Sequence, residues 1–288
     1  MVVNNSDRNG RGLEYAVVIE LSKLPNATLT KRAITDNARD KPKFDEISQA
    51  SPQLQQQFIT AAKKISSWIS SQFLNQAITI DRLPDSSTSV TDIAITSPTT
   101  KLEISLKHNH LALKHPRPYS IAQACGYMKN TQQDIDHRAL MKVVDNNFRL
   151  LASGMQNYNN CNQATISSLY NGVYTACVTS INKWASNDPN LANNLFSFIV
   201  NNGFYKVIVN TGSSLSVKAQ DYLTIACVNT VTASINPITN YLTLSFSNGW
   251  VISLRVHNAA TKISKGSSQL SLKFDAKLVT GTINEHIL

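Results

Sequence analysis

"TDIAITSPTTKLEISLKHNHLALKHPRP", Thr91 to Pro118, decides how the rest of the chain is read. Its first half alternates apolar and polar residues with period two, as half-buried strands do. "SVTDIAIT" and "KLEISLK" are two such runs, and "SPTT" between them supplies a four-residue turn. With that turn, Thr96 pairs with Lys101 and Asp92 falls opposite Ser105. One face then carries Ile93, Ile95, Leu102, Ile104 and Leu106, which must be core. The other carries Asp92, Glu103, Ser105 and Lys107. Cross-strand neighbours have Cβ atoms roughly 4.5–5.5 Å apart, and diagonal neighbours somewhat more. Two carboxylates, a hydroxyl and an ammonium therefore crowd onto one patch of strand surface.

Carboxylates that close repel each other unless a cation lies between them. Mg²⁺ takes one or two carboxylates together with water and phosphate oxygens. A lysine beside them can hold a phosphate oxygen, or orient and deprotonate an attacking water. These parts suit phosphodiester hydrolysis, with Asp92 and Glu103 as metal ligands and Mn²⁺ able to replace Mg²⁺. The competing explanation is a solvated strand face with an ordinary Glu–Lys pair. The segment that follows holds His108, Asn109, His110, Lys114, His115 and Arg117. Cations there would track a nucleic-acid backbone. A zinc site from His108, His110 and His115 lacks a familiar spacing and a cysteine. A polar loop with helix-capping histidines is the structural alternative.

Bulk properties agree with a polyanionic partner. The 288 residues carry a formal net charge of +9 although only 16% are charged. That imbalance suggests a polyanionic partner, with an ordinary basic soluble protein as the alternative, and 42% hydrophobic residues permit a substantial core. Cys125, Cys161, Cys177 and Cys227 form no Cys-x-x-Cys pair, so reduced, mostly buried thiols in a cytoplasm are expected. The polar N-terminus has no apolar core of a signal peptide, and no run is long enough to span a membrane.

Along the chain, residues 1–9 read as a polar tail and Gly12 to Lys23 as a helix. Residues 25–50 are polar and poorly periodic. Ser51 caps a helix that Pro52 opens and that runs to about Asn75, with Leu54, Phe58, Ala61, Ile65, Trp68, Ile69 and Phe73 as its core stripe. Helices follow near Pro118, from Asp134 to Leu151, toward Trp184 and after Asp188-Pro189, with an exposed connection from Gly154 to Ser168. The last third is strand-rich: "FYKVIVN", "YLTIACV", "YLTLSFS", "WVISLRV" and "QLSLKF". Asn248-Gly249 marks a two-residue hairpin turn. The fold class is mixed α and β, organised as one domain over residues 10–288. Its catalytic core would span about 10–150 and its DNA-reading part about 200–288. In that last part Arg255, His257 and Asn258 are candidates for base or phosphate contacts, and Lys262, Lys265 and Lys273 for phosphate contacts. A charged edge hairpin explains them equally well.

The hairpin resembles the metal-binding core of the PD-(D/E)XK nucleases, in which an Asp on one strand is followed by Glu-x-Lys on the next. Here Ser105 occupies the acid position of the triplet ending at Lys107, and no Pro precedes Asp92. Some restriction endonucleases have Ser-x-Lys with an acid supplied from elsewhere. Glu103 is the first choice for that acid and Glu14 the second. Glu14 belongs to "GRGLE", which resembles the Gly-x-x-x-Glu of several nucleases whose first-helix glutamate points at the metal. A Glu in a first helical turn is also favoured by the helix dipole. "EISLKHNHLALKHPRP" with "QACGY", and "WVISLRVHNAAT" with "SLKFD", resemble the HaeIII-type family of type II restriction endonucleases. That resemblance covers Gly10 to about Asp275. It implies a PD-(D/E)XK core sheet flanked by helices and Mg²⁺-dependent, sequence-specific cleavage of double-stranded DNA, with GGCC read by the family's namesake. A homodimer would cut both strands of a palindrome, and a cognate DNA methyltransferase is expected. The alternatives are a non-catalytic DNA-binding protein and a structure-specific nuclease such as a junction resolvase or repair nickase.

Overall fold

The computed structural model describes residues 5–74, 76–84, 90–111, 113–223, 225–266 and 268–288. Ser89, at the head of the first expected strand, and Thr224, inside "YLTIACV", lie outside them. The chain is mixed α and β and divides into two compact units. One comprises Met1–Leu111, Asn202–Ile225 and Ile283–Leu288; the other comprises Ala112–Asn201 and Ala226–Thr282. The boundaries thus fall at 111, 201, 225 and 282 rather than near 150 and 200, and the strand-rich last third is shared between the units.

The first unit is a seven-stranded sheet with helices on one face. Its strands are β1 (Ala27–Leu29), β2 (Ile78–Arg82), β3 (Ile93–Thr96), β4 (Lys101–His108), β5 (Tyr205–Asn210), β6 (Ser216–Asp221) and β11 (Glu285–Ile287). They lie in the order β1-β2-β3-β4-β5-β6-β11. The meander β2–β3–β4 is antiparallel and β4 runs parallel to β5. Thr96 pairs with Lys101 and Ile93 with Ile104, the register that the turn length predicts. Ile93, Ile95, Leu102, Ile104 and Leu106 all enter the core, together with apolar residues of α1 (Asn5–Leu21), α2 (Lys31–Ala50) and α3 (Pro52–Phe73). Helix α3 starts as expected: Ser51 Oγ accepts the Leu54 amide and Pro52 occupies the first turn.

Two expectations for the amino-terminal region fail. Asn5 to Asn9 belong to α1 rather than to a loose tail. Residues 31–50 form a helix of 20 residues. Its buried positions are Ala33, Asn37, Asp40, Phe44 and Ile47, a regular helical spacing. Two of those five are polar, so the stripe is invisible to a search for hydrophobic period.

The second unit packs helices on a four-stranded antiparallel sheet ordered β10-β9-β8-β7. The helices are α4 (Ile121–Ala124), α5 (Gln132–Leu151), α6 (Gln163–Ala185) and α7 (Leu191–Val200). The strands are β7 (Val231–Ile235), β8 (Leu242–Phe246), β9 (Val251–Asn258) and β10 (Leu272–Thr280). The Asn182 side chain ties α6 to β7, donating to the Ala233 carbonyl at 2.8 Å and accepting its amide at 2.9 Å. The described residues of "YLTIACV" after Asp221 form no strand; the chain pairs through Ser216–Asp221 instead. Gly154 to Ser168 is not simply exposed, because Tyr158 is buried and α6 already begins at Gln163. The β8–β9 hairpin turns on three residues, not two. Phe246 accepts the Gly249 amide and donates its own to the Trp250 carbonyl. Gly249 has φ +80° while Asn248 stays outside the left-handed region, as in a type I turn closed by a glycine. Among the described residues no helix is long and apolar enough to cross a membrane.

Candidate active site

Asp92 lies one residue before β3 and extends its pairing with side-chain chemistry. Its amide donates to the Ile104 carbonyl at 2.8 Å, and its Oδ2 accepts the Leu106 amide at 2.6 Å. Lys107 Nζ stands 3.8 Å from the same oxygen. Ser105, between them in sequence, is buried and donates to the Val90 carbonyl at 2.7 Å. It is a structural tie at the position where the superfamily pattern carries an acid.

A carboxylate of α1 also acts with Asp92. Glu14 is buried, and the charge of Asp92 acts on it. Burial first, then repulsion by Asp92, pushes the Glu14 carboxyl up to about 7, against the pull of Arg82 and Arg11. Burial likewise raises Asp92, opposed by Lys107, the Leu106 amide, Arg11 and Arg82. Glu103, the expected second ligand, is engaged elsewhere. Its Oε1 meets Lys101 Nζ at 2.5 Å, and its Oε2 accepts from Thr91 Oγ1 at 2.9 Å. The pleat brings Glu103 to the predicted face, but a neighbouring lysine takes its charge.

Glu14 is held by Arg82, which has no candidate role in the sequence. Arg82 follows Ile78 and Ile80 on the core side of β2 and is only 1% exposed. Its guanidinium pairs with Glu14, with Asp40 Oδ2 at 3.0 Å and with Asn37 Oδ1 at 3.1 Å. Asp40 in turn receives two hydrogen bonds from Arg39, at 2.9 and 3.0 Å. Burial raises the Asp40 carboxyl, but Arg39 and Arg82 outweigh it and hold it low. The two polar positions in the α2 stripe are thus the anchors of Arg82. An arginine at core parity in "ITIDR" is the signal that could have exposed the cluster.

Lys206 is a second unforeseen residue. It sits beside Ser105 in the parallel β4–β5 register, 3% exposed, and donates to the Leu111 carbonyl at 2.7 Å. Burial, then the charge of Lys107, lowers its amine to about 7. A lysine inside the apolar run "FYKVIVN" marked it in sequence.

The basic histidine segment does not act as one surface. His108 has the parity of the core residues: it packs edge-on against Phe58 at 4.9 Å and bonds Thr211 Oγ1 at 2.8 Å. Asn109 adopts φ +52° and exchanges hydrogen bonds with Thr211. In the second unit, Lys114 lies 4.0 Å over the Phe198 ring and Arg117 donates to the Leu272 carbonyl at 3.3 Å. His108, Asn109, Lys114 and Arg117 therefore have intramolecular work that the phosphate-binding expectation did not include. His110 is exposed.

The expected strand surface in the second unit is real and centres on an unforeseen acid. Arg255 pairs with Asp275 and His257 with Lys273 across β9 and β10. Asp275 lies 3.1 Å from Arg255, 3.3 Å from His257 and 3.2 Å from His115. Asn258 has the opposite parity; its side chain donates to the Ala260 carbonyl and accepts from the Tyr170 hydroxyl.

No family model, no curated protein and no solved structure matches this chain.

Among the described residues no group of three or more His, Cys, Asp and Glu side chains is arranged to hold a metal ion. Mg²⁺ does not require one, since it uses one or two carboxylates and completes its shell with water and phosphate. Burial raises both Glu14 and Asp92, and the charge of Asp92 raises Glu14 further. Glu14 with Asp92 would suit Mg²⁺ as a carboxylate pair, Glu14 being ion-paired with Arg82 and Arg11 as Glu103 is with Lys101.

Proposed function

We propose that this chain is a Mg²⁺-dependent endonuclease that hydrolyses phosphodiester bonds in double-stranded DNA, of the HaeIII type that its sequence phrases resemble. One observation carries the proposal: Asp92 before β3 is bonded to the β4 backbone, lies 3.8 Å from Lys107, and acts by its charge on Glu14 of α1. Glu14 and Asp92 would hold the ion, which supplies a Lewis acid for the phosphate and a water of lowered pKa. Each protein group then has a separable task. The Leu106 amide fixes the Asp92 carboxylate on one oxygen. Arg82 and Arg11 hold the Glu14 carboxylate in place. Lys107 places an ammonium where it can donate to a phosphate oxygen or orient the attacking water. Ser105, tied to the Val90 carbonyl, keeps β4 seated while its neighbours do chemistry.

A two-fold dimer cutting a short palindrome such as GGCC, and a cognate DNA methyltransferase, belong to the same proposal. Supercoiled plasmid with protein and Mg²⁺ should yield discrete fragments, and with EDTA none. Plasmid that stays intact in both Mg²⁺ and Mn²⁺ while the protein binds it would instead support a non-catalytic DNA-binding protein. Cutting of branched DNA alone would support a structure-specific nuclease.

A further inference from the structure

The β7–β10 sheet has two unlike faces. One is core: Leu242, Leu244, Ile252, Leu254, Leu272 and Phe274 are all buried. The alternate positions are solvent-accessible and, apart from Val251 and Tyr241, carry hydroxyl or charged side chains. Thr232, Ser234, Thr243, Ser245 and Ser253 supply hydroxyls, none of them hydrogen-bonded among the described residues. Arg255, His257, Lys273 and Lys277 supply the basic groups, and Asp275 is the acid among them. Among the described residues no carboxylate forms an ion pair with Lys273 or Lys277.

We infer that this sheet face is the docking surface for duplex DNA, with Asp275 as an internal counter-ion that a DNA phosphate displaces. The inference rests on the endonuclease proposal for its partner, and extends it by assigning the surface and the exchange. Charge complementarity is the first argument: three permanent cations and two histidines meet a single carboxylate on a chain of net charge +9. Spacing is the second. Lys273 and Lys277 are four residues apart on one strand, about 13 Å at roughly 3.3 Å per residue. That is comparable with the major-groove width of about 12 Å, so the two amines can reach phosphates flanking one groove. Unbonded hydroxyls between the cations add neutral donors of the kind that make backbone contacts. Asp275 explains how the cluster persists without DNA. It holds Arg255, His257 and His115 at 3.1 to 3.3 Å, so a phosphate entering there trades one anion for another.

The test is fluorescence anisotropy of the full chain with a labelled 20-base-pair duplex of random sequence in EDTA, across a salt series. Lys273→Ala/Lys277→Ala should weaken binding at least tenfold. It should also lower the slope of log affinity against log salt by about 2, close to the 0.9 expected per lost phosphate contact. Asp275→Asn should tighten binding several-fold, and Lys31→Ala on α2 should change nothing. Wild-type affinity and slope in both the lysine pair and Asp275→Asn, with unchanged thermal melts, would overturn the inference. So would preference for single-stranded RNA over the duplex. Separate Mg²⁺ digests keep the two claims apart. Cleavage with surface variants that bind normally sinks the docking surface alone. Lysine-dependent binding without any cleavage sinks the nuclease proposal alone.

Discussion

Asp92 in the first unit and Asp275 in the second are both carboxylates ringed by basic side chains, and their surroundings move them in opposite directions. Asp275 is held low: partial burial raises it, but the Arg255 hydrogen bond and the charges of His257 and His115 outweigh that. Asp92 has Lys107, Arg11, Arg82 and a backbone amide around it, yet burial leaves it raised. Losing hydration costs a carboxylate more than nearby cations restore unless the geometry is close and direct. Arg255 lies 3.1 Å from Asp275, while Lys107 stands off at 3.8 Å from Asp92. Arg82 lowers Asp92 only through its charge, because its hydrogen bonds go to Glu14, Asp40 and Asn37. Counting charges in sequence treats the two sites alike. Depth and the prior commitments of the cations separate them, leaving Asp275 in surface ion pairs and Asp92 a buried carboxylate held high.

The largest contrast should appear in stability. Arg82→Met leaves Glu14 and Asp40 buried without their shared partner, which costs about 3–5 kcal/mol. Arg255→Met removes a pair whose arginine side chain is 55% exposed, worth about 1 kcal/mol or less. Urea denaturation of both variants measures the difference, and equal losses would erase the distinction. Catalysis should show the next effect. Glu14→Gln should slow single-turnover cleavage about 100-fold, near 2.7 kcal/mol, while Glu103→Gln stays within about threefold of wild type. The reverse order would restore Glu103 as the second ligand.

Turn chemistry gives a smaller contrast. Gly249→Ala should cost about 1 kcal/mol because its φ is +80°. Gly10→Ala, with open space around the new methyl, should gain about 0.5–1 kcal/mol from helix propensity and leave cleavage unchanged. A loss of activity there would give the glycine of Gly-x-x-x-Glu a role that its surroundings do not suggest. The smallest effect is in pH. The folded-state pKa of Asp275 is below its ordinary 3.8. Its contribution is therefore present above about pH 4 and is lost as pH falls through the lowered value, because the unfolded chain then binds more protons. Stability curves of wild type and Asp275→Asn, which retains Arg255, His257, His115 and Lys273 around the site, should converge below that pH. Convergence on raising the pH would contradict the assigned direction.

How much of this was legible follows from what each residue does. The hairpin register and the buried stripe of α3 were readable because local alternation and capping dictate them. Helix α2 was not, because Asn37 and Asp40 occupy its core stripe to serve an arginine 45 and 42 residues away. Sequence favours Glu103 over Glu14 because pleating predicts which face a side chain takes, not which neighbour takes its charge. Arg255, His257 and Lys273 were found by strand parity, whereas Asp275 and His115 needed the β9–β10 register to bring them together. The basic segment read as one feature because its charges are adjacent in sequence. Strand parity sends His108 inward, and the boundary between units falls at Leu111.

The central claim is that Glu14, Asp92 and Lys107 form a nuclease centre. The most direct measurement is single-turnover cleavage of supercoiled plasmid in Mg²⁺ by the wild-type chain and by Asp92→Asn, both first shown to fold and to bind the same duplex equally. Discrete fragments from wild type, at least about 10³-fold slower from Asp92→Asn at unchanged affinity, are the predicted result. Equal rates from the two proteins, or no cleavage from either, would contradict it.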